Sequence, residues 1–214
     1  MTGIVRSAVA ELVGTFVFVS AIIAAVNSGS ALTPLAIGFA LMVMVFATGH
    51  ISGAHLNPAV TVAVWLRGAI DVAGAGVYIV AQLIGGALAA ALSFALWPAA
   101  EAPAAIEVGP AFLAEALGTF ALAFVVLNVA TSKDHPNNSF YGLAIGSTVF
   151  VGAVGLGPIS GGGFNPAVAL GLSITGAFDF ASYWLYFIAP IVGAAVAAVV
   201  FRVLNAHDKL PAAE

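Results

Sequence analysis

The sequence predicts an all-α membrane protein with six transmembrane helices and two re-entrant half-helices, arranged as an inverted 3+3 repeat. The first observation is composition: the 214 residues are 62% hydrophobic and only 7% charged, with a mean hydropathy of +1.14. An ordinary soluble domain has roughly 25% charged residues. The second is a set of six apolar segments long enough to cross a bilayer. The third is a series of short motifs that occur twice in the same order.

Composition also excludes several partners and chemistries. Five Lys and Arg residues against nine acidic ones are too few and too scattered for a nucleic-acid footprint. The chain has no Cys, which excludes disulfides, iron-sulfur clusters, thiolate zinc sites and cysteine nucleophiles. We therefore predict no nucleic-acid partner and no cofactor, and we expect the lipid bilayer to be the main solvent of the surface.

The six predicted spans follow from the roughly 20 apolar residues that a helix needs to cross a bilayer core. They are 8–26, 31–48, 72–97, 111–130, 139–157 and 181–201. The first is interpreted as a retained span and not a signal peptide, because Glu11 interrupts it and no clear small-residue cleavage site follows.

Orientation follows from the basic residues, which all fall on one predicted face. That face holds Arg6, Arg67, Lys133, Arg202 and Lys209, whereas the other holds Glu101, Glu107 and Asp179. Because basic loops stay in the cytoplasm, we predict a multi-pass protein of the cell (inner) membrane with both termini cytoplasmic.

An internal repeat organises the single predicted domain, 1–214. AELVGTF at 10–16 returns as AEALGTF at 114–120, and LAIG at 35–38 returns at 143–146. With the same offset as LAIG, Asn-Pro-Ala-Val at 57–60 returns at 165–168, and the run around Gly85 returns around Gly193. Each copy, about 1–105 and 106–214, has three spans, so the second copy enters the membrane from the opposite side. Such symmetry predicts a functional site near the midplane.

Two Asn-Pro-Ala motifs begin apolar segments too short to span, 60–66 and 168–174. Asn is a favoured N-cap and Pro a favoured first helical residue. When the Asn oxygen caps its own helix, its NH2 group remains a donor, here directed to a common lumen. The predicted lumen motifs are Asn57, Pro58, Ala59, Asn165, Pro166 and Ala167. N-capping alone is the alternative role of the two Asn residues, and the two roles are compatible.

Gly-rich runs at 49–55 and 157–163 precede the two motifs and are predicted to be non-helical. Irregular backbone at membrane depth is tolerated only when it is buried in protein or lines a wet cavity. We therefore expect their carbonyls to line a polar track that includes Gly53, Ala54, His55, Gly161 and Gly163. The positive ends of both half-helices would meet there and oppose cations and protons.

Buried ionisable residues are by default functional hypotheses inside a span. The repeat-related Glu11 and Glu115 are interpreted as acceptors for backbone amides of the re-entrant loops, with a proton relay as the alternative. We predict no metal site at His50 and His55, because no Cys, Asp or Glu is near them in sequence. His55 is expected in the cytoplasmic half of the lumen and His50 in a buried loop.

The motifs SGAHLNPAVT and SGGGFNPAVA, with the paired AExxGTF starts, resemble the aquaporin or major intrinsic protein superfamily over essentially the whole chain. The resemblance implies the aquaporin fold, and a passive channel for water and small neutral solutes instead of an enzyme. It also implies a homotetramer with one pore per protomer. Members usually have an Arg after the second Asn-Pro-Ala, where this chain has Val168. The family's spacing gives a selectivity filter of Ile37, Ala153, Gly162 and Val168.

That filter has no charge, no His and no large aromatic side chain. Some bacterial members associated with arsenic-resistance genes likewise lack the Arg, so the resemblance implies glycerol, urea, arsenous acid and methylated arsenicals as candidate solutes. Glycerol channels usually have an Asp where Ala169 stands, and Tyr186 and Phe187 are more typical of water channels.

Other function classes remain beside such a channel. One alternative is a channel mainly for water, and another is a structural or adhesion protein with little flux. A membrane enzyme is disfavoured, because no Ser/His/Asp set, metal cluster or pair of facing carboxylates can be assembled within the spans.

Overall fold

The computed structural model describes residues 3–100, 102, 103 and 105–208, which form eight α-helices with short connections. Six are long and apolar enough to cross a membrane: α1 (Gly3–Asn27), α2 (Thr33–Ser52), α4 (Val72–Ser93), α5 (Val108–Val126), α6 (Tyr141–Ser160) and α8 (Tyr183–Leu204). A π-helical turn, Leu127–Thr131, continues α5, and a 3-10 turn, Phe180–Ser182, precedes α8. The all-α, six-span prediction is confirmed. Glu101 and Lys209 lie outside the described residues.

Two predicted span boundaries are wrong by several residues. The first helix begins at Gly3, so Arg6 lies inside α1, where a long side chain can still reach water from a helix end. The third span ends at Ser93 instead of 97. The Trp97 amide donates to the Ser93 carbonyl in a turn, and Pro98 has no amide with which to continue a helix.

The two shorter helices are α3 (Pro58–Arg67) and α7 (Pro166–Ile174), and their N-termini meet inside the bundle. In each case a Pro occupies the first helical position, where its missing amide hydrogen costs nothing. Helix α3 packs on α4 and α8, and α7 packs on the same two helices. The half-helices therefore rest on spans from both halves of the chain.

The long helices pack in equivalent pairs, α1 on α4 and α5 on α8, while α2 packs on α6. A Cβ at Gly85 would stand 2.6 Å from the Leu12 carbonyl oxygen, and a Cβ at Gly193 would meet the Ala116 carbonyl oxygen. Only glycine permits such close backbone approach between helices. These matching crossings support the inverted repeat, which remains a prediction.

The Gly-rich runs are shorter loops than predicted, because α2 and α6 remain helical to Ser52 and Ser160. Helical hydrogen bonding continues through Gly49 and Gly157, whose carbonyls accept from the capping glycines four residues later at 2.9 and 2.7 Å. A left-handed C-cap then ends each helix. The irregular backbone is limited to 53–56, here called the first loop, and 161–164, the second loop.

Candidate functional site

Asn57 caps α3 and also ties the two loops together. Its Oδ1 accepts from the amides of Ala59 at 2.8 Å and Val60 at 3.4 Å. Its Nδ2 donates to the Phe164 carbonyl at 2.9 Å. A side-chain amide nitrogen carries two hydrogens, so one N–H remains after this bond is made.

Asn165 makes the reciprocal contacts at the start of α7. Its Oδ1 accepts from the Ala167 amide at 2.9 Å, and its Nδ2 donates to the Leu56 carbonyl at 2.8 Å. Each capping Asn is therefore hydrogen-bonded to the loop that precedes the other half-helix, at the point where the two half-helices meet. N-capping accounts for both side-chain oxygens, and the remaining N–H groups stay the predicted donors to a solute.

Glu11 organises the first loop from inside α1, where its side chain is fully buried. It accepts from the Ser52 hydroxyl at 2.6 Å, the His55 amide at 2.9 Å and the Leu56 amide at 2.7 Å. A fourth donor is Gln82 Nε2, at 2.8 Å. The two backbone amides can only donate, and they bond to different carboxyl oxygens, so both oxygens of Glu11 act as acceptors for the first loop.

Glu115 has the same position relative to the second loop and is also fully buried. It accepts from the Ser160 hydroxyl at 2.6 Å, the Gly163 amide at 2.9 Å and the Phe164 amide. These are the contacts that the structural interpretation of the two acidic residues predicts. Each carboxylate satisfies backbone amides that would otherwise be buried without a partner.

Two tyrosines complete the loop supports: Tyr78, which the sequence did not single out, and Tyr186, which was noted only as typical of water channels. The Tyr78 hydroxyl donates to the Ser52 carbonyl at 2.9 Å, and the Tyr186 hydroxyl donates to the Ser160 carbonyl. Each donor therefore satisfies a carbonyl at the C-terminal end of a long helix. Tyr78 and Tyr186 are separated by the same offset as the two Asn-Pro-Ala motifs, so the repeat was a signal that could have identified them.

A cavity of about 240 Å³, here called the outer cavity, reaches both Asn57 and Asn165. Three of the four predicted filter residues line it: Ile37, Gly162 and Val168. The predicted loop residues that line it are Ala54, His55, Gly161 and Gly163. Most of the remaining lining side chains are apolar.

Ala153 is the predicted filter residue that does not line this cavity. A Cβ at Gly162 would lie 3.7 Å from the Ala153 Cα, so Ala153 packs next to a filter residue that does line the cavity. Val149 and Ile145, on the preceding turns of α6, line the cavity. The assignment of Ala153 to the filter stays a prediction.

A second cavity of about 520 Å³, the inner cavity, lies beside the end of α3. Gly53 of the first loop lines it together with Gly68 and Thr131. His55 and Val126 line both cavities. The two cavities are therefore neighbours that share these two side chains, and the outer one contains the Asn pair.

The two histidines of the first Gly-rich run occupy different environments. His55 is buried at the junction of the cavities, whereas His50 is exposed. The expectation that His50 satisfies a buried loop is wrong, because α2 stays helical through this residue and turns it outward. Among the described residues, no group of three or more His, Cys, Asp or Glu is placed to hold a metal ion.

A buried ion pair anchors the end of α3 outside the spans. Arg67 donates to Asp208 at 2.7 Å and stacks over the Phe201 ring at 4.8 Å. Burial opposes the charge of Asp208, but the Lys133 amide at 3.0 Å, the Ser132 hydroxyl and Arg67 together hold the pKa of this carboxyl below its ordinary value of 3.8.

A bundle of six spans, in which two half-helices meet end to end beside a cavity that reaches both capping Asn residues, has the architecture of a membrane channel. Residues 1–201 match the family model described as major intrinsic protein. The chain is 41% identical over 218 residues to "Glycerol uptake facilitator protein-like 6" of Lactiplantibacillus plantarum, covering 95% of this chain and 100% of that protein. It is 38% identical over 218 residues to "Aquaporin NIP1-3" of Oryza sativa subsp. japonica, covering 95% and 75%.

The fold also matches a solved structure. The X-ray structure of the aquaglyceroporin from Plasmodium falciparum aligns with a TM-score of 0.79 at 23% sequence identity, covering 95% of this chain and 98% of that chain. The chain therefore belongs to the major intrinsic protein family. It is a multi-pass membrane channel that passes water and small solutes passively.

Proposed function

We propose that this channel conducts uncharged solutes larger than water, namely glycerol, urea, arsenous acid and methylated arsenicals, in addition to water. The observation that carries the proposal is Val168, which lines the outer cavity where the family usually has Arg. An Arg at this position narrows a pore, donates hydrogen bonds to the solute and adds positive charge. A Val does none of these.

The chemistry around Val168 supports solutes that combine an apolar side with hydrogen-bonding groups. Ile37 and Phe178 give the outer cavity an apolar wall, whereas the two Asn residues direct donors to it. A glycerol molecule can place its carbon chain on that wall and its hydroxyls on the polar side. Water finds few partners in the apolar stretch, so we expect a modest water flux.

Charge exclusion in this proposal comes from the half-helices. The N-termini of α3 and α7 face each other across the Asn57 and Asn165 contacts. Each helix N-terminus carries about half a positive charge. Two such ends at one point oppose cations and protons, and a filter without Arg adds no further positive charge, so we expect weaker proton exclusion than an Arg would provide.

The test is the ratio of glycerol to water permeability in proteoliposomes containing equal amounts of protein. Val168→Arg is expected to lower this ratio by about tenfold, which corresponds to about 1.4 kcal/mol. Val168→Met, which adds bulk without charge, is the matched control and separates narrowing from charge. An unchanged ratio in Val168→Arg contradicts the assignment of position 168.

The same assay distinguishes the alternative functions. A wild-type protein that passes water but excludes glycerol, urea and arsenous acid is mainly a water channel. A wild type with no more flux than empty vesicles favours a structural or adhesion role. Similarity to a protein named as a glycerol uptake facilitator supports glycerol as the first solute to assay.

We further propose a homotetramer in the cell (inner) membrane with both termini cytoplasmic, as the family resemblance and the basic residues imply. Arg67, Lys133 and Asp208 cluster at one end of the bundle, and we assign this end to the cytoplasm. A single Cys in place of Glu107 should then react only from outside, in a chain without other Cys residues. Native mass spectrometry tests the tetramer.

A further inference from the structure

The first loop has a chain of polar side chains that the second loop lacks. Behind His55 lie Thr61 and Gln82, all close to Glu11. At the equivalent positions of the second repeat the sequence has Gly163, Ala169 and Pro190. The two repeats therefore differ in sequence at these positions. The difference lies at His55, which lines both the outer and the inner cavity.

Hydrogen-bond directions can be assigned from the Glu11 end of this chain. Gln82 Nε2 lies 2.8 Å from Glu11 Oε2 and 2.9 Å from Thr61 Oγ1. A carboxylate only accepts, so the NH2 group of Gln82 faces Glu11. Its second hydrogen is then directed to the Thr61 hydroxyl oxygen.

The Thr61 hydroxyl has a single hydrogen to donate. Its Oγ1 lies 3.0 Å from the Asn57 carbonyl oxygen and 3.4 Å from Gln82 Oε1, and we assign the hydrogen to the nearer of these two acceptors, the carbonyl. The lone pairs of Oγ1 are then left for Gln82 and for His55 Nδ1, which lies 3.1 Å away. With the hydroxyl hydrogen assigned in this way, Nδ1 carries the imidazole hydrogen and donates it to Oγ1.

The other ring nitrogen, Nε2, is left as an acceptor in the neutral imidazole. It has no hydrogen-bond partner among the residues that the structure describes. It lies 3.5 Å from the place of a Cβ on Gly53, a residue that lines the inner cavity. A solute that passes the Asn donors therefore meets an acceptor next.

We propose that His55 is a specificity-determining residue that presents a fixed acceptor, Nε2, to the O–H groups of a neutral solute. Gln82 and Thr61 are positioning residues, because they hold the ring as its Nδ1–H tautomer and do not contact the solute. This inference rests on the proposed conduction of hydroxylated solutes. It adds an ordered sequence of donors at the Asn pair followed by an acceptor at His55.

The direct test is NMR of protein carrying 15N-labelled histidine side chains, at a pH of about 8 where neutral imidazole dominates. Long-range 1H–15N correlations distinguish the two tautomers, and a His55→Gln variant identifies the His55 signals among the four histidines. The expected wild-type pattern is Nδ1–H. An Nε2–H pattern in the wild type overturns the proposal, and this result needs no other variant to fold.

Two variants of Thr61 test the positioning role. Thr61→Val keeps the shape but removes the acceptor, so the tautomer is expected to shift towards Nε2–H and glycerol permeability to fall about fivefold. Thr61→Ser retains the hydroxyl and should keep the Nδ1–H tautomer and the wild-type glycerol permeability. Equal tautomers in the two variants overturn the proposal. Absence of glycerol flux in the wild type contradicts the proposed function, while the NMR result still decides the tautomer.

Discussion

The first and second loops share a backbone design but differ in what surrounds them. Each loop begins with a left-handed Gly and is followed by a capping Asn. In each loop, two backbone amides donate to a buried Glu. The first loop is backed by a polar chain that reaches Glu11 through Gln82, whereas Pro190 stands in the equivalent place of the second half. Repeat symmetry thus sets the geometry, and departures from it set the chemistry of each side.

The ends of the half-helices show a similar difference. Helix α3 ends at Arg67, which is tied to Asp208. The equivalent position in the second repeat is Thr175, whose hydroxyl donates to the Leu172 carbonyl at 3.0 Å and whose carbonyl accepts from the Ala100 amide at 3.0 Å. The first half-helix is anchored by charge to the segment after α8, and the second by one backbone hydrogen bond to Ala100, while the Thr175 hydroxyl bonds within α7.

The largest expected loss of stability comes from removing the buried Glu that each loop uses as its hydrogen-bond acceptor. Glu11→Leu and Glu115→Leu each leave two buried amides and a Ser hydroxyl without their partner, at a cost of roughly 1–3 kcal/mol per group. Glu11→Leu should be the more destabilising, because Gln82 also loses its acceptor. Thermal unfolding in detergent measures both. The variants Glu→Gln, which keep one acceptor oxygen, are the controls, and a larger loss in Glu115→Leu contradicts the comparison.

Breaking the charged anchor of α3 should rank next. Asp208→Asn leaves Arg67 buried without its counter-charge, at a cost of about 3 kcal/mol. Thr175→Val, at the equivalent end of α7, should cost about 1 kcal/mol. Thermal unfolding measures the loss of stability in each variant. Equal losses would contradict the stronger contribution assigned to the Arg67–Asp208 ion pair.

The Asp208 contribution should depend on pH in a defined direction. Its pKa is lowered in the folded protein, so its stabilising effect is present above its ordinary value of 3.8 and is lost as the pH falls through the folded value. The stability difference between wild type and Asp208→Asn should therefore be constant between about pH 5 and 8 and shrink below about pH 4. A difference that disappears near neutral pH contradicts the ion-pair assignment.

Substitution of the two caps should have similar effects, since their contacts are reciprocal. Asn57→Asp and Asn165→Asp keep an acceptor for the helix amides but place a carboxylate against a carbonyl that now receives an N–H. We expect glycerol flux to fall about tenfold, or cations to leak through, in each variant. Vesicle swelling and cation conductance are the measurements. Unchanged flux and cation exclusion in both variants contradict the donor assignment.

The smallest expected change in stability concerns one equivalent position that differs between the two loops. Ala54 and Gly162 are equivalent, and both have left-handed backbone, with φ of 50° and 72°. Gly162→Ala should cost about 1–2 kcal/mol, because an L side chain is strained there. Ala54→Gly should change stability by less than about 1 kcal/mol, since relief of strain offsets the extra freedom of the unfolded chain. Thermal unfolding midpoints measure both variants. Equal decreases in Gly162→Ala and Ala54→Gly would contradict the expected difference.

The sequence alone determined the fold class, the six spans, the two half-helices and their capping Asn residues. These features depend on apolar length and on local capping preferences, which act over a few residues. The repeat then extended the analysis to paired features such as Glu11 and Glu115. The family resemblance placed position 168 in the filter, and Val168 does line the outer cavity.

Only the tertiary structure decided which residues far apart in sequence come into contact. The loops are shorter than predicted because α2 and α6 stay helical to Ser52 and Ser160. Arg67 and Asp208 are 141 residues apart in sequence and Gln82 and Glu11 are 71 apart, yet both pairs are in direct contact. Such contacts follow from how α3 and α4 pack against distant helices, and no local sequence pattern specifies that packing.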